Sequence, residues 1–238
     1  MPWSHHLEKH TNNNAQKGTL RAAVFGVNDG LVSNLSLVMG VAGAHTESKF
    51  ILLAGIAGLL AGAFSMAAGE FISMKVQSEV FEKLIELEKT ELKEVPEKEL
   101  LELRQIYENK GIPRKQAEEI STLLMSDDKL ALETHIREEL GLNPDELGSP
   151  TGAALSSFAS FVAGAAVPVI PYLIFGGNIA FIVSIILSAL GLLIVGSLLS
   201  RVTGRNWLYS GIRMLSLGAG AALVTYGIGY LLGVSMIN

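Results

Sequence analysis

Residues 61–84 read "AGAFSMAAGEFISMKVQSEVFEKL" and change character halfway. The first half is small and apolar, as helices packed in lipid tend to be. The second half carries Glu and Lys every few positions. Neither Gly nor Pro interrupts the chain from Phe71 to Val95, so this stretch reads as one helix that leaves a membrane without breaking. Met66 and Glu70 sit at the seam, four residues apart and on one helical face.

The composition on either side agrees. Of the 238 residues, 49% are hydrophobic, and the mean hydropathy is +0.40. Residues 75–148 hold 19 of the 23 Asp/Glu and 11 of the 18 Lys/Arg. Such unevenness suits a membrane protein carrying one soluble, acidic insert. An acidic module favours cations and argues against nucleic acid. With no Cys there is no disulfide and no thiolate metal site.

Five apolar segments have the ~20 residues that a bilayer crossing needs. They lie near 22–44, 50–73, 152–175, 178–200 and 211–236. With the insert and the loop holding Arg201, Arg205 and Arg213 on the cytoplasmic side, 17 of the 18 basic residues face the cytoplasm. Only Lys49, in "HTESK", faces out. This puts the N-terminus inside and the C-terminus on the opposite side. Residues 1–19 read as a flexible arm without the features of a cleaved signal peptide. Its His5, His6 and His10 read as solvated, with metal scavenging as the lesser alternative.

The expected fold is therefore all-α: a polytopic membrane protein with five transmembrane helices and a cytoplasmic helical insert between spans two and three. Residues 20–74 form spans one and two, 75–150 the Glu-rich insert, and 151–238 spans three to five. In the insert, Pro96 opens a helix that Gly111 ends, and Pro113 opens another. Asp127 or Ser126 caps a last one, closed by Gly141. Pro168 and Pro171 should kink span three, and the many glycines in the spans read as close-packing positions.

Two acidic residues lie within the spans, Asp29 and Glu70. A carboxylate in lipid is costly and should face a bundle interior or water. At a rise of ~1.5 Å per residue, Asp29 lies about 12 Å into the membrane from Arg21, and Glu70 lies near the inner boundary with Met66 just inside it. The three suggest a ladder of oxygen, sulfur and oxygen donors suited to a borderline divalent ion such as Fe2+. A carboxylate in a partly dry site binds protons and metal in competition. The plainer reading is a hydrogen-bonded or snorkelling carboxylate beside a packing methionine. In the insert, Glu88/Glu91, Glu99/Glu102 and His135/Glu139 form pairs three or four apart on three helices. Such pairs build carboxylate metal sites in bundles, although any one alone reads as a solvated face.

The stretches "FGVNDGLVSNLSLVMGVAGA" and "GLLAGAFSMAAGEFISMKVQSE", with a Glu-rich insert ending in "ELGL", resemble the vacuolar iron transporter family from about residue 19 onward. The resemblance implies a homodimeric, proton-coupled exporter of Fe2+, and often Mn2+, from the cytosol, with no permanently bound cofactor. It implies metal-handling roles for Asp29, Met66 and Glu70 in the membrane, and for Glu88, Glu91, Glu99, Glu102 and Glu139 in the insert. His135 stands where a plant member of the family has methionine, and imidazole also suits Zn2+. Two other readings compete with transport. A metal-sensing receptor or scaffold would have no use for Asp29, and a di-metal redox enzyme lacks a Glu-x-x-His pair in the insert.

Overall fold

The computed structural model describes residues 8–44, 47–143 and 148–237. Its described secondary structure is all helical: α1 Glu8–Gly43, α2 Ser48–Glu94, α3 Pro96–Asn109, α4 Arg114–Leu124, α5 Asp128–Glu138, α6 Pro150–Ile174, α7 Gly177–Thr203 and α8 Trp207–Ile237. Five of these, α1, α2, α6, α7 and α8, hold stretches long and apolar enough to cross a bilayer. The chain is an integral, multi-pass membrane protein.

The 47 residues of α2 form one unbroken helix, as the 61–84 stretch requires. At 1.5 Å per residue it extends about 70 Å, more than twice the bilayer's apolar thickness of ~30 Å. α1 begins at Glu8, inside the segment expected to be a flexible arm. Extending an existing helix costs far less than nucleating one, so the polar residues before span one continue its turn. His5 and His6 lie outside the described residues, as do 144–147 of the turn leading back to the membrane.

The chain divides into two compact units: a membrane unit of Asn12–Ile72 with Pro150–Asn238, and an insert unit built on Ser73–Ser149. In the membrane unit, Leu31, Leu35, Val38 and Met39 of α1 pack with Ile51 of α2, Val169 and Tyr172 of α6, Ala180 and Leu192 of α7, and Ala222 of α8. Backbones meet where side chains are absent. A Cβ at Gly30 would strike the Phe161 carbonyl oxygen, and one at Gly164 would strike that of Val27, so α1 and α6 touch main chain to main chain. Gly40 of α1 and Gly229 of α8 make a similar contact. Dispersion between close backbones is what holds helices together in lipid.

Buried polar side chains reinforce this packing. Asn34 Nδ2 donates to Gly55 O of α2 at 3.1 Å and to Ala165 O of α6 at 2.7 Å. Ser184 Oγ of α7 donates to Pro168 O at 2.7 Å. Pro168 and Pro171 both lie inside α6 and are buried. In lipid these donors have no water to turn to, so each bond fixes a helix against its neighbour.

The insert unit has start and stop signals where the sequence places them. Pro96 occupies the first turn of α3. Asp127 Oδ1 accepts from Leu130 N at 2.9 Å and caps α5. Gly111, at φ +90°, takes a conformation that favours glycine just after α3. Ion pairs lie within and between the short helices: Arg104 approaches Glu108 along α3, Arg114 of α4 approaches the same carboxylate, and Lys110 just after α3 meets Glu138 of α5. The fully buried apolar residues are few, namely Leu103, Ala117, Ala131 and Ile136. Buried with them are Glu88, Glu99, Ser121 and His135.

The glycine contacts are directly testable. Gly164→Ala should destabilise the protein by about 1–3 kcal/mol, because its new Cβ meets rigid backbone. Gly220→Ala, with nothing within 4 Å, should be neutral or slightly stabilising. Thermal unfolding of the two variants in one detergent checks the contrast.

Candidate metal centre

A folded chain seldom buries carboxylates, and when it does they are paired or hold a cation. Glu88 of α2, Glu99 of α3, His135 of α5 and Glu139 at the end of α5 each offer one ligand atom, and these atoms all lie within 4.8 Å of one another. Glu88 is 2% exposed, Glu99 1% and His135 0%. Glu88 Oε1, Glu99 Oε1 and Glu139 Oε2 are buried without a hydrogen-bond partner. Lys98 Nζ stands 3.8 Å from Glu99 Oε1, beyond hydrogen-bond reach, on a side chain that is mostly exposed. Acceptors left bare in this way cost more than a good hydrogen bond returns.

Electrostatics express the same conflict. The Glu88 carboxyl is raised to about 7, first by burial and then by the Glu139 carboxylate, with His135 pulling against them. Glu99 is raised by burial and then by Glu102. Glu139 is raised by burial and then by Glu102 and Glu99. Each shift records a negative charge that the site cannot hold alone.

His135 is oriented by its own helix. Its Nδ1 lies 2.9 Å from Ala131 O, and a carbonyl only accepts, so Nδ1 carries the proton. In the neutral ring Nε2 then carries the lone pair, and the Glu99 main-chain oxygen lies 3.4 Å from it. A backbone carbonyl behind the far ring nitrogen is the usual arrangement for a metal-binding histidine. One imidazole nitrogen with three carboxylates is a donor set for borderline divalent transition ions, and the residues present fit such a cargo.

Of the six insert residues singled out by spacing, the structure brings four into this cluster. Glu91 and Glu102 are half-buried and act on it through their fields without joining the tight group. Two partners had no signal in the sequence: the Ala131 carbonyl that sets the His135 ring, and the Lys110–Glu138 ion pair. The cluster contains neither Asp29 nor Glu70, which lie in the membrane unit.

In that unit, Met66 is half-buried against Ala63, Phe161 and Ala165, and Glu70 is half-buried. From the sequence, Asp29 is expected to face a bundle interior or water. Its side chain does not face the interior of the single-chain bundle. It is exposed, one of a stripe of exposed residues formed by Phe25, Asp29, Ser33 and Leu37. The reason is the face that α1 buries: Gly26, Gly30, Leu31, Asn34, Leu35 and Val38 take up the inward side. Asn34, whose two hydrogen bonds tie α1 to α2 and α6, was missed by sequence reasoning, although a carboxamide in an apolar span is itself a signal.

The comparisons with known proteins follow this geometry. The model of the VIT family matches residues 20–230. A "Vacuolar iron transporter" of Acanthamoeba castellanii is 35% identical, across 94% of this chain and 82% of that protein. "Vacuolar iron transporter 1" of Oryza sativa subsp. japonica is 29% identical, across 94% of this chain and 88% of its own length. A "Vacuolar iron transporter" of Toxoplasma gondii is 31% identical, across 95% and 78%.

The raised carboxyls set the sign of a pH effect. The folded chain keeps protons that the unfolded chain loses near 4.5, so the cluster's contribution to stability falls as pH rises from there to about 7. A bound divalent ion requires the ionised carboxylates and reverses that slope. The gain in Tm on replacing chelator with Mn2+ should therefore be larger at about pH 7.5 than at about pH 5.5. Thermal unfolding of the full chain measures it.

Proposed function

The chain belongs to the VIT family, and on that premise we propose that it is a proton-coupled secondary transporter carrying Fe2+, and also Mn2+ or Zn2+, out of the cytosol. The observation that carries this reading is the buried four-donor cluster of Glu88, Glu99, His135 and Glu139 in a chain whose membrane unit also keeps a carboxylate, Asp29, within a span. An anchor has no use for the second, and a soluble metal buffer has no use for five spans.

In this reading the insert is cytoplasmic and gathers the cation, with Glu91 and Glu102 adding to its negative field. The ion then passes Glu70 and Met66 to Asp29. Protons entering from the far side compete for the Asp29 carboxylate and release the ion there. The chemistry is exchange of ligands and protons, with no covalent step and no resident cofactor.

The outward position of Asp29 supports a homodimer. Left against acyl chains it would cost several kcal/mol. A second copy seated on the Phe25–Asp29–Ser33–Leu37 stripe would turn that exposed face into an interior one. Exposed small residues of α2, Ala57, Ala61, Ser65 and Ala68, suit the same kind of close helix contact.

Asp29→Asn keeps the side chain's volume and removes its charge. Fe2+ uptake into inside-out vesicles should fall at least tenfold, with expression and Tm unchanged; uptake at the wild-type rate would end this mechanism. The chain has no native cysteine. Ser33→Cys should therefore crosslink two copies in the membrane, and a purely monomeric product on gels after oxidation would count against the dimer.

A further inference from the structure

At the turn between α7 and α8 lies a feature that metal transport does not use. α7's apolar run ends at Arg201. Gly204, at φ +67°, reverses the chain, and Arg205 and Asn206 follow. Asn206 Oδ1 accepts from Leu208 N at 2.9 Å and caps the start of α8. Ser197 Oγ of α7 donates to Trp207 O at 3.3 Å, which ties the two helices together there.

These residues border an open depression of about 850 Å3. Its lining combines apolar Ile194 and Leu198 with polar and cationic Arg201, Arg205 and Asn206, and includes Trp207. Trp207 is 64% exposed. Arg213, further along α8, lies over the Tyr209 ring at 5.9 Å. Among the described residues no carboxylate forms an ion pair with Arg201, Arg205 or Arg213. The start of α8 adds the positive end of a helix dipole.

Unpaired guanidinium groups, a neighbouring indole and an apolar wall leading into the span match one chemistry. We propose that this depression binds an anionic phospholipid, with Arg201 and Arg205 on its phosphate, Trp207 at headgroup level, and an acyl chain along Ile194 and Leu198. Guanidinium pairs with phosphate through two parallel hydrogen bonds, which a lysine cannot reproduce. Basic pockets between spans are a recurring form of headgroup site, and aromatic side chains mark the interface. A soluble anion would satisfy the arginines and leave the apolar wall unused, so the lipid is the better match.

Trp207 provides the readout. The chain has two tryptophans, and Trp3→Phe leaves Trp207 as the only indole. In that background, titration with brominated phosphatidylglycerol in mixed micelles should quench Trp207 at concentrations at which brominated phosphatidylcholine does not. Arg201→Gln with Arg205→Gln should weaken the phosphatidylglycerol effect roughly thirtyfold, at about fivefold per arginine. Each single substitution should weaken it about fivefold, so the test stands if the double variant does not fold. Arg114→Gln with Lys115→Gln, the same charge removed from α4, should leave it unchanged.

Equal quenching by the two lipids, undiminished binding in the arginine variants, or an equal loss in the α4 variant would each overturn the proposal. So would full competition by inorganic phosphate at millimolar concentration, which would make this a soluble-anion site.

Discussion

Three carboxylates and an imidazole share a space less than 5 Å across, out of water. Like charges at that distance cannot all ionise unless positive charge joins them. Burial and mutual repulsion accordingly raise the Glu88, Glu99 and Glu139 carboxyls, which favours their protonated forms. Those protons sit where a divalent ion would sit. On the proposed transport reading the insert exchanges one kind of positive charge for another, and its small apolar core of Leu103, Ala117, Ala131 and Ile136 leaves part of its cohesion to the bound cation.

The membrane unit solves the opposite problem. Without water or a hydrophobic drive between helices, it relies on backbone contacts at Gly30, Gly164, Gly40 and Gly229, and on the two hydrogen bonds of Asn34. Those contacts commit one face of α1 to α2, α6 and α8. Asp29 then has to project from the other side of the same helix. Its exposure is a geometric consequence of the tight packing of Gly30 and Asn34 on the opposite face, and it is the feature on which the proposed homodimer rests.

The sequence was most legible where local chemistry decides structure. The unbroken stretch from Phe71 to Val95, Pro96, Gly111 and Asp127 each marked a boundary that the helices keep, because proline, positive φ and capping act over a few residues. Spacing of three and four residues found the Glu pairs, since helical faces repeat at that period. It did not separate Glu88 and Glu99 from Glu91 and Glu102, because which member of each pair turns inward depends on how three helices pack. The orientation of Asp29 was illegible for the same reason: hydropathy locates a span but does not say which face meets a neighbour. The start of α1 was missed because a polar sequence without proline can continue a helix that apolar residues have already nucleated.

His135 gives the donor set properties that a thioether in its place would not. A thioether at this position would be neutral at every pH, soft, and free to rotate. Imidazole is harder, and is held by Nδ1–H to Ala131 O so that a single nitrogen, Nε2, is left to offer a lone pair. A fixed nitrogen with three oxygens ranks divalent ions mainly by the Irving–Williams order, so Zn2+ binds ahead of Fe2+ and Mn2+ unless geometry intervenes. The same donors exclude little by size, since carboxylates rotate to suit the ion. On the proposed transport reading, selectivity among borderline metals then falls to Met66, where sulfur joins the donors, and the insert concentrates cations more than it chooses among them.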